Sequence, residues 1–111
     1  MKPFKHHNAQ SLREATTLLR KYNGKAKANA GGTDILGAMR DRCMAEYPEA
    51  LINIKTINGL EYIKEDKKGI RIGALTKLAD IANSKKIKDT YKLLAEAVHS
   101  VATPHVRNMA T

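Results

Sequence analysis

Apolar residues recur at helical spacing between residues 12 and 22, and this is the clearest pattern in the chain. The predicted apolar face consists of Leu12, Ala15, Leu18, Leu19 and Tyr22. Ser11 and Glu14 form a capping box at the start, in which the Ser11 hydroxyl accepts the Glu14 N–H and the Glu14 carboxylate accepts the Ser11 N–H. Asn23 and Gly24 end the helix, and Gly24 is suited to the left-handed conformation that follows a helix.

Short β-rich runs alternate with helical patterns in the first half of the chain. Residues 3–7 predict an edge strand, residues 27–30 a second strand and residues 51–54 a buried third strand. A helix of two to three turns is predicted before the third strand, with one face made of Ile35, Leu36, Met39 and Cys43. On that face Cys43 is expected to be a small buried hydrophobe. The order strand, helix, strand, helix, strand favours a parallel sheet with right-handed crossovers.

The second half of the chain changes to an antiparallel pattern. Residues 60–64 and 70–74 predict two antiparallel strands, joined by a charged turn over residues 65–69. Three helical or polar segments follow: a helix capped by Thr76, a polar link over residues 85–88 anchored by Ile87, and a helix over residues 91–101 that ends before Pro104. The predicted fold class is therefore α/β (α+β overall), with a small parallel β-α-β-α-β unit followed by an antiparallel α+β unit.

Two consecutive glycines stand between the second predicted strand and the helix after it. Gly31 and Gly32 lack Cβ atoms, so the backbone can adopt positive φ there and a ligand can approach closely. Thr33 or Asp34 is expected to cap the following helix. The N–H groups of such a turn can form an anion site, and the carboxyl ends of parallel strands are where ligands bind in α/β sheets. A plain connecting loop is the alternative for this pattern taken alone.

Lysine and arginine outnumber aspartate and glutamate by 20 to 11, which gives a net charge of +9. This charge is compatible with a nucleic acid or another polyanion, but the lysines are spread along the chain and aromatic residues for base stacking are scarce. A solvated basic surface is the favoured interpretation, and we expect no nucleic-acid partner. The single cysteine excludes an internal disulfide and suits a reducing compartment.

No leader-like apolar segment is present at the N-terminus, and no run approaches the ~20 apolar residues of a membrane span. We therefore expect a cytoplasmic location and no membrane partner. One cysteine and four scattered histidines give no metal-binding pattern, and the adjacent His6 and His7 would point to opposite faces of a strand. No residue is nominated as a catalytic acid, base or nucleophile.

Four segments in this order resemble the N-terminal part of the FAD-binding subunit or domain of molybdenum hydroxylases. They are FKHH with SLREA (residues 4–7 and 11–15), AGGTDI (residues 30–35), IGALT (residues 72–76) and TPHVRNMAT (residues 103–111). The family includes the carbon monoxide dehydrogenase medium subunit and the flavin subunit of bacterial xanthine dehydrogenases. The resemblance covers the whole chain.

The resemblance implies a para-cresol methylhydroxylase-type FAD domain, with residues 1–56 forming the small parallel subdomain and residues 57–111 beginning the larger one. It implies an FAD-dependent oxidoreductase whose FAD receives electrons from a [2Fe-2S] small subunit beside a molybdopterin-binding large subunit. The cofactor-binding residues it implies are Ala28, Asn29, Ala30, Gly31, Gly32, Thr33, Asp34, Ile35 and Thr111.

In this family a second glycine turn, Thr-Ile-Gly-Gly-Asn, follows on the other side of the cofactor. Thr111 matches its first position, and the sequence ends there. The chain is therefore expected to be a fragment that binds FAD weakly or not at all by itself. Two alternatives from other classes are a basic polyanion-binding module and a subunit-interface scaffold without a ligand.

Overall fold

The computed structural model describes residues 1–111, which fall into two compact units, Met1–Asn58 and Gly59–Thr111. The elements of the first unit are β1 (Lys5–Asn8), α1 (Leu12–Lys21), β2 (Ala26–Asn29), α2 (Ile35–Arg40) and β3 (Ala50–Asn53). Its three strands form a parallel sheet, as predicted, and the structure places them in the order β1-β3-β2. The central strand β3 is buried along its whole length and has a neighbouring strand on each of its edges.

The start of α1 follows the predicted capping box with one change. The Ser11 hydroxyl accepts the Glu14 N–H at 3.1 Å, but the Glu14 carboxylate accepts the N–H of Gln10 at 2.9 Å instead of that of Ser11. Leu12 is 59% exposed, so its predicted place on the buried face is wrong. After α1, Asn23 and Gly24 both adopt left-handed backbone conformations, with φ of 48° and 86°.

Helix α2 is shorter than predicted, because the chain turns at Arg42. The φ of Arg42 is 57°, and the N–H of Cys43 bonds back to the carbonyl of Ala38 at 3.0 Å. A left-handed residue with this bond closes the helix in a Schellman motif. Cys43 therefore lies beyond the helix and is exposed, so the prediction of a buried cysteine is wrong. Met39, on the predicted apolar face, is fully buried.

The second unit contains a hairpin and four short helices. Its elements are β4 (Ile63–Asp66), β5 (Gly69–Ile72), α3 (Leu78–Asn83), α4 (Lys85–Thr90), α5 (Lys92–His99) and α6 (Pro104–Arg107). The strands β4 and β5 are antiparallel and pair Asp66 with Gly69, so the turn is tighter than predicted. The core of this unit is built from Ile81, Ala82, Ile87 and Val98.

Two predictions for the second unit are wrong in physically clear ways. Thr76 does not cap α3, since its buried hydroxyl donates to the carbonyl of Tyr62 at 2.9 Å and accepts the Tyr62 N–H at 3.1 Å. The expected polar link over residues 85–88 is part of α4, whose N-cap Ser84 accepts the Ile87 N–H. Ile87 is the buried anchor that the sequence predicted.

None of the helices is long and apolar enough to cross a bilayer.

Candidate anion-binding turn

The glycine turn follows the carboxyl end of an edge strand of the parallel sheet. Strand β2 ends at Asn29 and α2 begins at Ile35, so residues 30–34 form the connection. Gly32 has a φ of +78°, in the left-handed region that favours glycine. The mixed α/β fold thus places the glycines at the sheet edge where ligands bind in such folds.

A continuous run of main-chain N–H groups in this turn has no acceptor within the chain. None of the N–H groups from Ala30 through Ile35 donates a hydrogen bond to another residue. The first bonds of the helix run from the Leu36 N–H to the Gly32 carbonyl at 3.2 Å and from the Ala38 N–H to the Asp34 carbonyl at 3.0 Å. Unpaired donors that follow one another in a turn create a positive potential that suits an anion.

The expected side-chain cap of α2 is missing. Asp34 occupies the N-cap position, but its φ of −95° and ψ of −56° are already helical and its carboxylate makes no capping bond. Thr33, the other candidate, is exposed and its hydroxyl makes no hydrogen bond within the chain. The prediction that Thr33 or Asp34 caps this helix is therefore wrong, and the donors of the turn stay free.

One buried side chain lies directly beneath the turn. A Cβ added at Gly32 would sit 3.2 Å from Oδ1 of Asn29 and 3.1 Å from Cδ1 of Leu36. Asn29 is only 5% exposed, and its Oδ1 has no hydrogen-bond partner. Asn29 was predicted among the cofactor-binding residues, but no role was predicted for its side chain. The sequence feature that points to this side chain is an asparagine at the end of a strand, two residues before a pair of glycines.

Arg40 and Asp41, at the C-terminal end of α2, form an ion pair with each other. The Arg40 guanidinium donates to the Asp41 carboxylate at 2.8 and 3.1 Å. This hydrogen bond, with the charge attraction between the two groups, lowers the pKa of Asp41 below its ordinary value. Both groups are exposed, so neither bears on the turn through a buried charge.

The other sequence candidates have different surroundings. Thr111 is exposed in the second unit, and its role as a cofactor contact stays a prediction. Arg107, in the segment of residues 103–111, donates to the carbonyls of Val101 at 2.7 Å and Ala102 at 3.3 Å. These hydrogen bonds stabilise the turn after α5, where Ala102 has a φ of 48°.

A family model described as the FAD binding domain in molybdopterin dehydrogenase matches residues 2–111. The chain belongs to this family. FAD is accordingly the cofactor of the domain.

Curated relatives and solved structures agree with this assignment. The chain is 37% identical to the nicotinate dehydrogenase FAD-subunit of Eubacterium barkeri, over 100% of this chain and 37% of the relative. It is 38% identical to the carbon monoxide dehydrogenase medium chain of Hydrogenophaga pseudoflava, over 97% of this chain and 37% of the relative. Reconstituted carbon monoxide dehydrogenase from Oligotropha carboxidovorans superposes with a TM-score of 0.90 at 28% identity, over 99% of this chain and 38% of that one. The chain thus spans less than two fifths of the length of these proteins.

Proposed function

We propose that residues 28–35 bind the diphosphate of FAD through their main-chain N–H groups. The observation that carries this proposal is the run of unbonded donors from Ala30 through Ile35. The left-handed glycine supports it, because a side chain at Gly32 would meet Asn29 and Leu36 and would strain the turn. A diphosphate offers several acceptor oxygens and no donors at neutral pH, so it complements this group of donors.

The residues of the turn would hold the cofactor and supply no reacting group. FAD, when bound, supplies the electron-transfer chemistry. The peptide N–H groups would neutralise the diphosphate, and the absence of a Cβ at Gly31 and Gly32 would let it approach the backbone. The role of the turn is therefore binding and positioning.

We further propose that the chain serves in a multi-subunit oxidoreductase in which electrons reach FAD from a [2Fe-2S] small subunit beside a molybdopterin-binding large subunit. The relatives named FAD-subunit and medium chain support this proposal. Affinity purification of the chain from its own cells, with metal analysis, tests it. Recovery of stoichiometric molybdenum and iron is expected, and a preparation without either metal would contradict it.

The binding proposal is tested on the 111-residue chain by recording ¹H–¹⁵N spectra during titration with FAD and, separately, with pyrophosphate. We expect weak binding, because these residues correspond to 37% of the FAD-subunit relative. Amide spectra detect weak complexes, and the resonances of residues 30–35 should shift with both ligands. The test variant is Gly32→Asp, because a negative charge at the turn repels the phosphate groups and should abolish these shifts.

Gly24→Asp is a matched control, since Gly24 has a φ of +86° and nothing within 4 Å of an added Cβ. It introduces the same charge and the same backbone penalty at another left-handed glycine of the first unit. We expect it to bind both ligands as the unaltered chain does. Shifts that spread over surface lysines while residues 30–35 stay unmoved would refute the proposal and would favour a general polyanion surface.

A further inference from the structure

Three asparagines end the three parallel strands in one row. Asn8 of β1 and Asn29 of β2 are both in register with Asn53 of β3. The carboxamide of Asn53 is held on both sides, because its Nδ2 donates to Oδ1 of Asn8 at 2.8 Å and its Oδ1 accepts the Lys55 N–H at 3.2 Å. Asn29 takes no part in these bonds, and its buried Oδ1 is unpaired.

An unpaired buried acceptor destabilises the conformation that contains it. The Oδ1 of Asn29 lies beneath Gly32, within the run of residues whose N–H groups are also unpaired. The N–H two residues further on, that of Gly31, is the partner that an asparagine side chain ordinarily finds in a turn. A small rotation of the turn peptides would therefore pair this acceptor with a donor that the diphosphate also needs.

We propose that the Asn29 carbonyl competes with the phosphate groups of the ligand for the N–H groups of the turn, and that Asn29 thereby sets the affinity of the site. The structure has the arrangement that binds an anion, with the donors unbonded and the Asn29 acceptor left over. Without ligand, the turn closes on Asn29. This inference rests on the proposed function, because it assigns the same N–H groups to a diphosphate.

Two substitutions at this position should act in opposite directions. Asn29→Leu keeps the number of side-chain heavy atoms and the branching at Cγ and removes the competing acceptor, so pyrophosphate and FAD should both bind about tenfold more tightly, equivalent to about 1.4 kcal/mol. Asn29→Asp keeps the shape, strengthens the acceptor and adds a charge that repels the phosphates, so both ligands should bind more weakly. A role in shaping the turn alone would weaken binding in both variants.

Affinities come from the amide shifts of residues 30–35 in the 111-residue chain, with pyrophosphate and FAD as separate probes. Asn8→Leu is the matched control, because it removes an asparagine from the opposite edge strand of the same row. It should leave both affinities unchanged. Should Asn29→Leu disturb folding, Asn29→Ala removes the same acceptor and should also bind more tightly.

The ligand-free chain gives an independent measurement. Solvent exchange of the turn amides should be faster in Asn29→Leu than in the unaltered chain, since closure on Asn29 protects at least one of them. Unchanged or weaker binding by Asn29→Leu, or a change confined to FAD, would overturn the competition. If pyrophosphate shifted the amide resonances of residues 30–35 in no variant, the proposed phosphate site would be refuted as well. The exchange rates would still show whether the turn closes on Asn29.

Discussion

Replacing Gly73 by alanine tests why a glycine stands in the segment IGALT of residues 72–76. An ideal Cβ at this position would overlap the carbonyl oxygen of Leu60, and it would lie 2.7 Å from the carbonyl carbon of that residue and 2.9 Å from Cδ1 of Tyr62. The first two atoms belong to main chain, which cannot swing aside as a flexible side chain can. Alanine therefore requires the two chain segments to separate.

The cost follows from what that separation breaks. The Gly73 N–H donates to the carbonyl of Tyr62 at 2.9 Å, and the Leu75 N–H donates to the carbonyl of Leu60 at 2.9 Å. Overpacking costs about 1–3 kcal/mol, and loss of one of these hydrogen bonds adds about 0.5–1.5 kcal/mol. We expect Gly73→Ala to lower the free energy of unfolding by about 2–4 kcal/mol.

Urea unfolding followed by far-UV circular dichroism measures this change. With a slope of about 2 kcal/mol per molar urea, the midpoint should fall by about 1–2 M. Gly37→Ala is the control, because it adds the same methyl group within α2 where no atom lies within 4 Å. It should be neutral or stabilising by up to about 1 kcal/mol, as alanine favours helix over glycine. A midpoint for Gly73→Ala that equals that of the unaltered chain would refute the steric reasoning.

Two further predictions concern stability and use the same unfolding assay. Ser11→Ala should destabilise the chain by about 1 kcal/mol, because it removes the acceptor of the Glu14 N–H, whereas Asp34→Ala should change stability by less than about 0.5 kcal/mol since Asp34 makes no capping bond. Equal effects of the two would contradict this account of the caps. Ile87→Ala should cost about 2–5 kcal/mol, because Ile87 is fully buried in the core of the second unit, and a cost below about 1 kcal/mol would show that this core is looser than the structure indicates.

Local sequence patterns predicted the parallel sheet and α1, because the residues that determine these elements lie within the elements themselves or directly beside them. Helix α1 has a cap, an amphipathic run and a left-handed stop between Ser11 and Gly24, and β3 is a short apolar run. The predictions for Cys43 and Thr76 were wrong because the environment of each depends on other residues of the chain. Helix α2 ends because Arg42 adopts a left-handed backbone conformation, which an arginine in a sequence does not predict. The hydroxyl of Thr76 is hydrogen-bonded to the main chain of Tyr62, fourteen residues earlier.

The two glycines most constrained by the structure show why a site is harder to predict than a fold. Gly32 is needed for its left-handed backbone and for the donors around it, whereas Gly73 is needed because another main chain passes against it. In sequence each is a glycine at the end of a β-rich run. The difference lies in whether neighbouring N–H groups are bonded: the Gly73 N–H is paired with Tyr62, and the Gly32 N–H is not. A glycine turn is therefore a candidate anion site only when its N–H groups have no acceptor within the chain. In this chain the turn has such unbonded N–H groups, together with the Asn29 acceptor that we propose competes for them.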